Sequence, residues 1–306
     1  MAEVKYFKCS DSKMMAYRQW IPEDKKVLAV LQILHGMAEH GARYENFAKV
    51  LNSKGIAVYV QDHRGHGATI EADEQGWFSD KNGWQRVCDD SYEFATFIAS
   101  NHPGKPLFLF GHSMGSFLAR TVMVQHSDLF NGVMIMGTGA SQGFLGKIGK
   151  MIARHELKKN GPKKPSQKLN DLSFASYNKK FQPARTDFDW LSRDEKQVDK
   201  YIADDLCGFV CSAEFYQDLL YGVDLCNSKT FVEKLPKDLP LLIISGTDDP
   251  VGGFTKGVKK VYKLYQDAGI ADVTLKLVEG ARHELLNETN KKEVYDFLYN
   301  WMKVHR

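Results

Sequence analysis

Short apolar runs recur along the chain, each ending in glycine, histidine or aspartate. They cover residues 27–34 (VLAVLQIL), 56–62 (IAVYVQD), 106–111 (PLFLFG), 131–137 (NGVMIMG), 239–246 (LPLLIISG) and 272–280 (DVTLKLVEG). Runs this short and this continuously apolar suit parallel strands, whose two faces are both covered by helices. Helical periodicity fills the gaps at residues 44–54 and 84–100. The β-α-β-α rhythm predicts an α/β fold with a mostly parallel central sheet and helices on both faces. Residues 4–8 and 14–20 alternate apolar and polar positions instead, which predicts an antiparallel hairpin at one edge.

The rhythm lapses at residues 138–232, where the sequence is helical or irregular and locally charged. The simplest topology divides the chain into a core half (1–137), an inserted helical cap (138–232) and a second core half (233–306). Residues 141–170 carry eight Lys/Arg and one Glu. Within them Phe144, Ile148, Met151 and Ile152 share one helical face. The expected arrangement packs that face on the core with the lysines in solvent. The alternative is transient contact with a lipid surface.

Composition narrows the class. Of 306 residues, 43% are hydrophobic and 26% charged, and the net charge is +3. This is the balance of a globular protein without the basic excess of a nucleic-acid binder, so no nucleic-acid partner is expected. The N-terminal stretch lacks a secretory apolar core, and the five cysteines are scattered, which reads as reduced thiols in a cytoplasm. Cys207 and Cys211 stand four apart with no second ligand pair beside them, so no metal is expected there.

The chemistry centres on Gly111-His112-Ser113-Met114-Gly115. G-x-S-x-G between a strand and a helix is a nucleophile elbow, which lifts a serine hydroxyl clear of the sheet. A serine needs a base, and the base needs an acid that fixes its tautomer. In this topology the order is Ser, acid, His. Four of the ten histidines follow Ser113. His126 belongs to the helix after the elbow, His155 lies in the basic insertion, and His305 falls at a terminus expected to fray. His283 follows the last strand, where an α/β sheet presents its ligand-binding loops. The acid is Asp249, with Asp248 as the alternative; Pro250 biases Asp249 toward an extended conformation. Oxyanion donors are expected from the backbone N–H of Met114 and, after the first long strand, of Met37.

With these residues in place the chain resembles the α/β-hydrolase superfamily, and within it the monoacylglycerol lipase and lysophospholipase branch, also labelled serine aminopeptidase-like. The likeness rests on HGMAEHGARY, DHRGHG, GHSMGS, GTDDPVG, GARHELLNE and the stretch at 186–209, and so spans nearly the whole chain. It implies Ser113 as nucleophile, His283 as base, and Asp249 rather than Asp248 as acid. It also implies Met37 and Met114 as oxyanion donors, with Glu39 and Arg43 bracing the first loop. Ala38 departs from the glycine common among relatives. The implied substrate is an acyl ester of an amphiphilic lipid, a monoacylglycerol or lysophospholipid, and no cofactor is implied.

Other motifs fail. RHELL has Asn287 where H-E-x-x-H needs histidine, and GTGASQG is one residue too long for a dinucleotide loop. Two rivals remain. An aminopeptidase would anchor its substrate amine on Asp204, Asp205 or Glu214. A non-catalytic binding protein would be expected to lack a member of the triad, and none is missing.

Overall fold

The computed structural model describes residues 2–306. Eight strands form one sheet: β1 (Lys5–Lys8), β2 (Met14–Trp20), β3 (Ala29–Leu34), β4 (Ile56–Gln61), β5 (Leu107–His112), β6 (Gly132–Met136), β7 (Leu241–Gly246) and β8 (Val273–Val278). Their order is β1-β2-β4-β3-β5-β6-β7-β8. β2 runs antiparallel to β1 and to β4, and every pairing from β4 to β8 is parallel.

Alternation along the strands explains their continuous apolarity. Leu31, Ile33, Val58, Phe108 and Phe110 go to one face, against Phe47 and Leu51 of α1 (Glu45–Ser53) and Leu298 and Trp301 of α10 (Lys291–Val304). Their neighbours Val30, Ala57, Leu107, Leu109 and Ile243 go to the other face. There they meet Trp84 of α2 (Gly83–Asn101), Leu118 of α3 (Met114–Gln125) and Val258 of α9 (Lys256–Asp267). A strand buried on both sides accepts a polar residue only where it is hydrogen-bonded, as Gln32 is to Gln61. At their C-terminal ends, β3, β5, β6, β7 and β8 all release the chain at the same edge of the sheet.

Between β6 and β7 lie α4 (Gly143–Asn160), α5 (Gln167–Phe174), α6 (Glu195–Ile202), α7 (Ala213–Cys226) and α8 (Lys229–Val232). Part of this segment has a small cluster of its own around Trp190, Leu191 and Tyr201. α7 does not stand apart: Phe215, Tyr216 and Val223 join the main core. A Cβ at Gly222 would lie 2.0 Å from the Trp84 ring, so glycine is what lets α7 rest directly on α2.

Two expectations are corrected. The apolar face of α4 does not pack on the core as a unit. Phe144 is 75% and Met151 66% exposed, while Ile148 and Ile152 turn inward to line a cavity. The C-terminus is held: His305 pairs with Asp272 at 2.9 Å and contacts the Trp301 carbonyl at 2.7 Å. No described helix is long and apolar enough to cross a membrane.

Candidate active site

Ser113 sits between β5 and α3 with φ 53° and ψ −119°, a strained backbone for a residue with a side chain. The motif's glycines are required by close approach. A Cβ at Gly111 would lie 2.2 Å from the Gly115 carbonyl oxygen, and one at Gly115 would lie 2.0 Å from that of Leu34. The turn is pinned by the Ser113 N–H, which donates to the Met136 carbonyl at 3.0 Å. Met114 opens α3, so its N–H belongs to the first turn, where no intrahelical acceptor exists.

The structure puts Asp249 against His283. Nδ1 of His283 lies 3.0 Å from Oδ1 of Asp249. Asp249 is fully buried and also accepts from the Val251 N–H at 2.9 Å and the Ser245 hydroxyl at 3.3 Å. A carboxylate accepting at Nδ1 requires the proton there, which leaves Nε2 as the basic nitrogen. Asp248 instead pairs with Lys180 at 2.5 Å and is partly exposed. Burial pulls the His283 imidazolium down, but the charge and hydrogen bond of Asp249, aided by Glu284 and Glu39, raise its pKa above the usual 6.5. Ser113 and His283 both line one cavity of about 1360 Å³, together with Met37 and Met114.

A second buried constellation braces the loop after β3. Glu39 accepts from the Gly36 N–H (2.6 Å), the Tyr44 hydroxyl (3.0 Å), Nδ1 of His112 (3.1 Å) and Arg43 (2.5 Å). Arg43 also makes a two-pronged pair with Glu284, 2.7 Å to each oxygen. Burial works against charge on Glu39, yet Arg43 and His112 hold its carboxyl well below the ordinary range. This network ties the loop carrying Met37 to the residue after His283. Across the same loop, the Ala38 carbonyl accepts from the Tyr201 hydroxyl at 3.0 Å and the Gly208 N–H at 2.9 Å. Ala38 itself has φ 51°, a conformation that glycine adopts more cheaply.

Sequence reasoning named Glu39 and Arg43 but not Glu284, Tyr201 or Gly208. One signal for Glu284 was present: a carboxylate beside a buried histidine needs a cation, and Arg43 was already assigned to that loop. Nothing in the spacing points to Tyr201. Asp204, Asp205 and Glu214, the anchors an aminopeptidase would use, are not among the residues lining the cavity.

A serine at a strained elbow and a buried histidine–aspartate pair, lining one cavity at the carboxyl edge of this sheet, suit an α/β-hydrolase. Residues 25–290 match the family described as serine aminopeptidase, S33. The chain belongs to that family and is an enzyme, a serine hydrolase. It is 29% identical to the monoglyceride lipase of Mus musculus over 91% of its length and 82% of that protein's. It is 26% identical to the monoacylglycerol lipase of Mycolicibacterium smegmatis, over 95% and 93%. Among solved structures, a thermostable carboxyl esterase from Bacillus coagulans in complex with glycerol superposes with a TM-score of 0.91 at 24% identity, over 99% and 98% of the two chains. A soluble variant of Saccharomyces cerevisiae monoglyceride lipase with a substrate analog gives 0.79 at 21%, over 99% and 96%. These likenesses show a shared fold.

Proposed function

We propose that this enzyme hydrolyses the ester bond of neutral monoacylglycerols, with Ser113 as nucleophile, His283 as base and Asp249 as the acid that orients it. Ser113 Oγ attacks the acyl carbon as His283 Nε2 takes its proton. The N–H groups of Met37 and Met114 receive the oxyanion, the alcohol leaves protonated by His283, and water releases the acid. The observation that carries this reading is the His283–Asp249 contact on the same cavity as a strained elbow serine. The monoglyceride lipase relatives support the substrate class.

Charge favours a neutral headgroup over the phosphate of a lysophospholipid. Two carboxylates that line the cavity with His283, Glu39 and Glu284, share one cation, Arg43, and so leave a local excess of negative charge. Apolar lining from Leu145, Ile148, Ile152, Leu219 and Val223 suits an acyl chain. The test compares kcat/KM for a monoacylglycerol, an anionic lysophosphatidylglycerol of the same acyl chain and an aminoacyl amide. The monoacylglycerol should lead by about tenfold or more, roughly 1.4 kcal/mol of transition-state discrimination. Equal or faster turnover of either competitor contradicts the assignment.

The raised pKa of His283 sets the acid limb of the pH profile. The base works only when neutral, so kcat/KM on a soluble ester should fall as pH drops through an apparent pKa above 6.5. A limb below 6.5 contradicts that environment.

The exposed apolar residues of α4 give the enzyme a place to meet a lipid surface. Phe144, Leu145 and Met151 project from the same helix as the exposed Lys147. Phe144→Asp combined with Met151→Asp should abolish flotation with anionic vesicles while leaving turnover of a soluble ester intact. Wild-type protein that stays unbound at moderate salt ends this reading. The five cysteines, all unpaired, support a reducing cytoplasm as the site of action.

A further inference from the structure

The fold assembles a set of metal ligands that no spacing in the sequence announces. His40 ends the loop after β3, and Asp204 and Cys207 lie just beyond α6, more than 160 residues away. One ligand atom from each, His40 Nε2 or Nδ1, an Asp204 oxygen and Cys207 Sγ, lie within 4.8 Å of one another. We propose that His40, Asp204 and Cys207 form a binding site for a borderline-soft divalent cation of the Zn²⁺ type.

Local geometry has already oriented the set. The Cys207 N–H donates to the Asp204 carbonyl at 2.9 Å, a turn that places residues 204 and 207 side by side. The Leu206 N–H donates to Oδ1 of Asp204 at 3.0 Å, so Oδ2 faces Nε2 of His40 at 2.9 Å. Tetrahedral angles at ordinary zinc bond lengths put ligand atoms about 3.3–3.7 Å apart; the three groups, all within 4.8 Å, would shift by about 1 Å or less to meet that spacing. The turn is anchored where Gly208 and Tyr201 hold the Ala38 carbonyl.

Charge distinguishes this cluster from the other one that brings a cysteine together with carboxylates. Around Cys9, the carboxylates Asp90 and Glu93 are taken by Arg64 and Arg86, which supply the positive charge a cation would bring. Among the described residues no Lys or Arg pairs with Asp204; its ionic partner is His40. Nearby, Arg43 is outnumbered by Glu39 and Glu284. A half-buried thiol, a half-exposed carboxylate and an imidazole in a field of excess negative charge suit a cation with nitrogen and sulfur affinity over Mg²⁺ or Ca²⁺. Nδ1 of His40 is buried without a partner, so the usual acceptor behind a zinc-bound histidine is missing. Affinity about micromolar is expected, below that of a structural zinc site. Three protein ligands leave a coordination position for water.

Occupancy would join the loop carrying Met37 to the segment between β6 and β7 through metal bonds. Its test reads binding rather than turnover. Zn²⁺ titrated calorimetrically into the reduced 306-residue protein should bind with one equivalent lost, or weakened about tenfold or more, in Cys207→Ser and again in Asp204→Asn. The other four cysteines are buried, so alkylation by a maleimide reports Cys207. Zn²⁺ should slow that alkylation in wild type, and Mg²⁺ should not. A thermal shift with Zn²⁺ that disappears in Cys207→Ser agrees with the proposal. Zn²⁺ binding unchanged in both variants, or a labelling rate indifferent to Zn²⁺, overturns it.

Discussion

Asp249→Asn is expected to lower kcat about 10⁴-fold on an ester substrate, while Asp248→Asn leaves it within about twofold. The two residues are adjacent and chemically alike, so the contrast isolates position. Asp249 accepts from Val251 and His283 at Oδ1 and from Ser245 at Oδ2, so an asparagine that keeps its oxygen toward Ser245 puts its amide at the Oδ1 position and loses the Val251 contact. It would then turn its amide N–H₂ toward Nδ1, which forces the imidazole proton onto Nε2, the nitrogen that must take the serine proton. About 5.5 kcal/mol of transition-state stabilisation is lost by a change of one atom type. Asp248 loses only an exposed pairing with Lys180, worth about 1 kcal/mol or less to stability. Steady-state kinetics on both variants decide it, with circular dichroism to show that both are folded. Equal losses, or a loss in Asp248→Asn alone, contradict the assignment of the acid.

Arg43→Met should cost about 3–5 kcal/mol of stability and much of the activity. Arg43 is the shared partner of Glu39 and Glu284, whose side chains are 4% and 5% exposed. Removing it strands two carboxylates in a desolvated site, and that penalty exceeds the value of the ion pairs themselves. The network holds the Met37 loop against the His283 loop, so turnover should fall even where the variant is folded. Urea unfolding gives the first quantity and kcat the second; a stability change under about 1 kcal/mol would show that the network is not strongly coupled. Wild type carries the corresponding acid sensitivity. Because the folded pKa of Glu39 is depressed, its contribution is complete above the ordinary carboxyl range near 4.5 and drains as pH falls below it.

These residues also mark how far sequence could be read. The sheet was legible because strands such as Ala29–Leu34 and Leu107–His112 are buried on both faces and are almost wholly apolar. Ser113 and His283 could be singled out as candidates because the elbow needs close-approach glycines and His283 follows the last strand. Asp249 and Asp248 could not be separated by the residues alone, since both stand at the same turn; Lys180, from the inserted segment, takes one and leaves the other. Glu284, Tyr201 and Gly208 act on the loop after β3 across 160 to 240 residues, and pairing at that range leaves no periodicity. The helix at residues 143–160 misleads for a different reason. Its apolar stripe borders a cavity rather than a solid core, so Ile148 and Ile152 face inward while Phe144 and Met151 remain in solvent.

The most direct test of the central claim is covalent. Treated with a fluorophosphonate, the protein should gain one adduct by intact mass, and peptide mapping should place it on Ser113. Ser113→Ala should gain none, and acid pH that protonates His283 should slow the reaction. A wild-type protein that stays unmodified, or an adduct on another residue, would contradict the account.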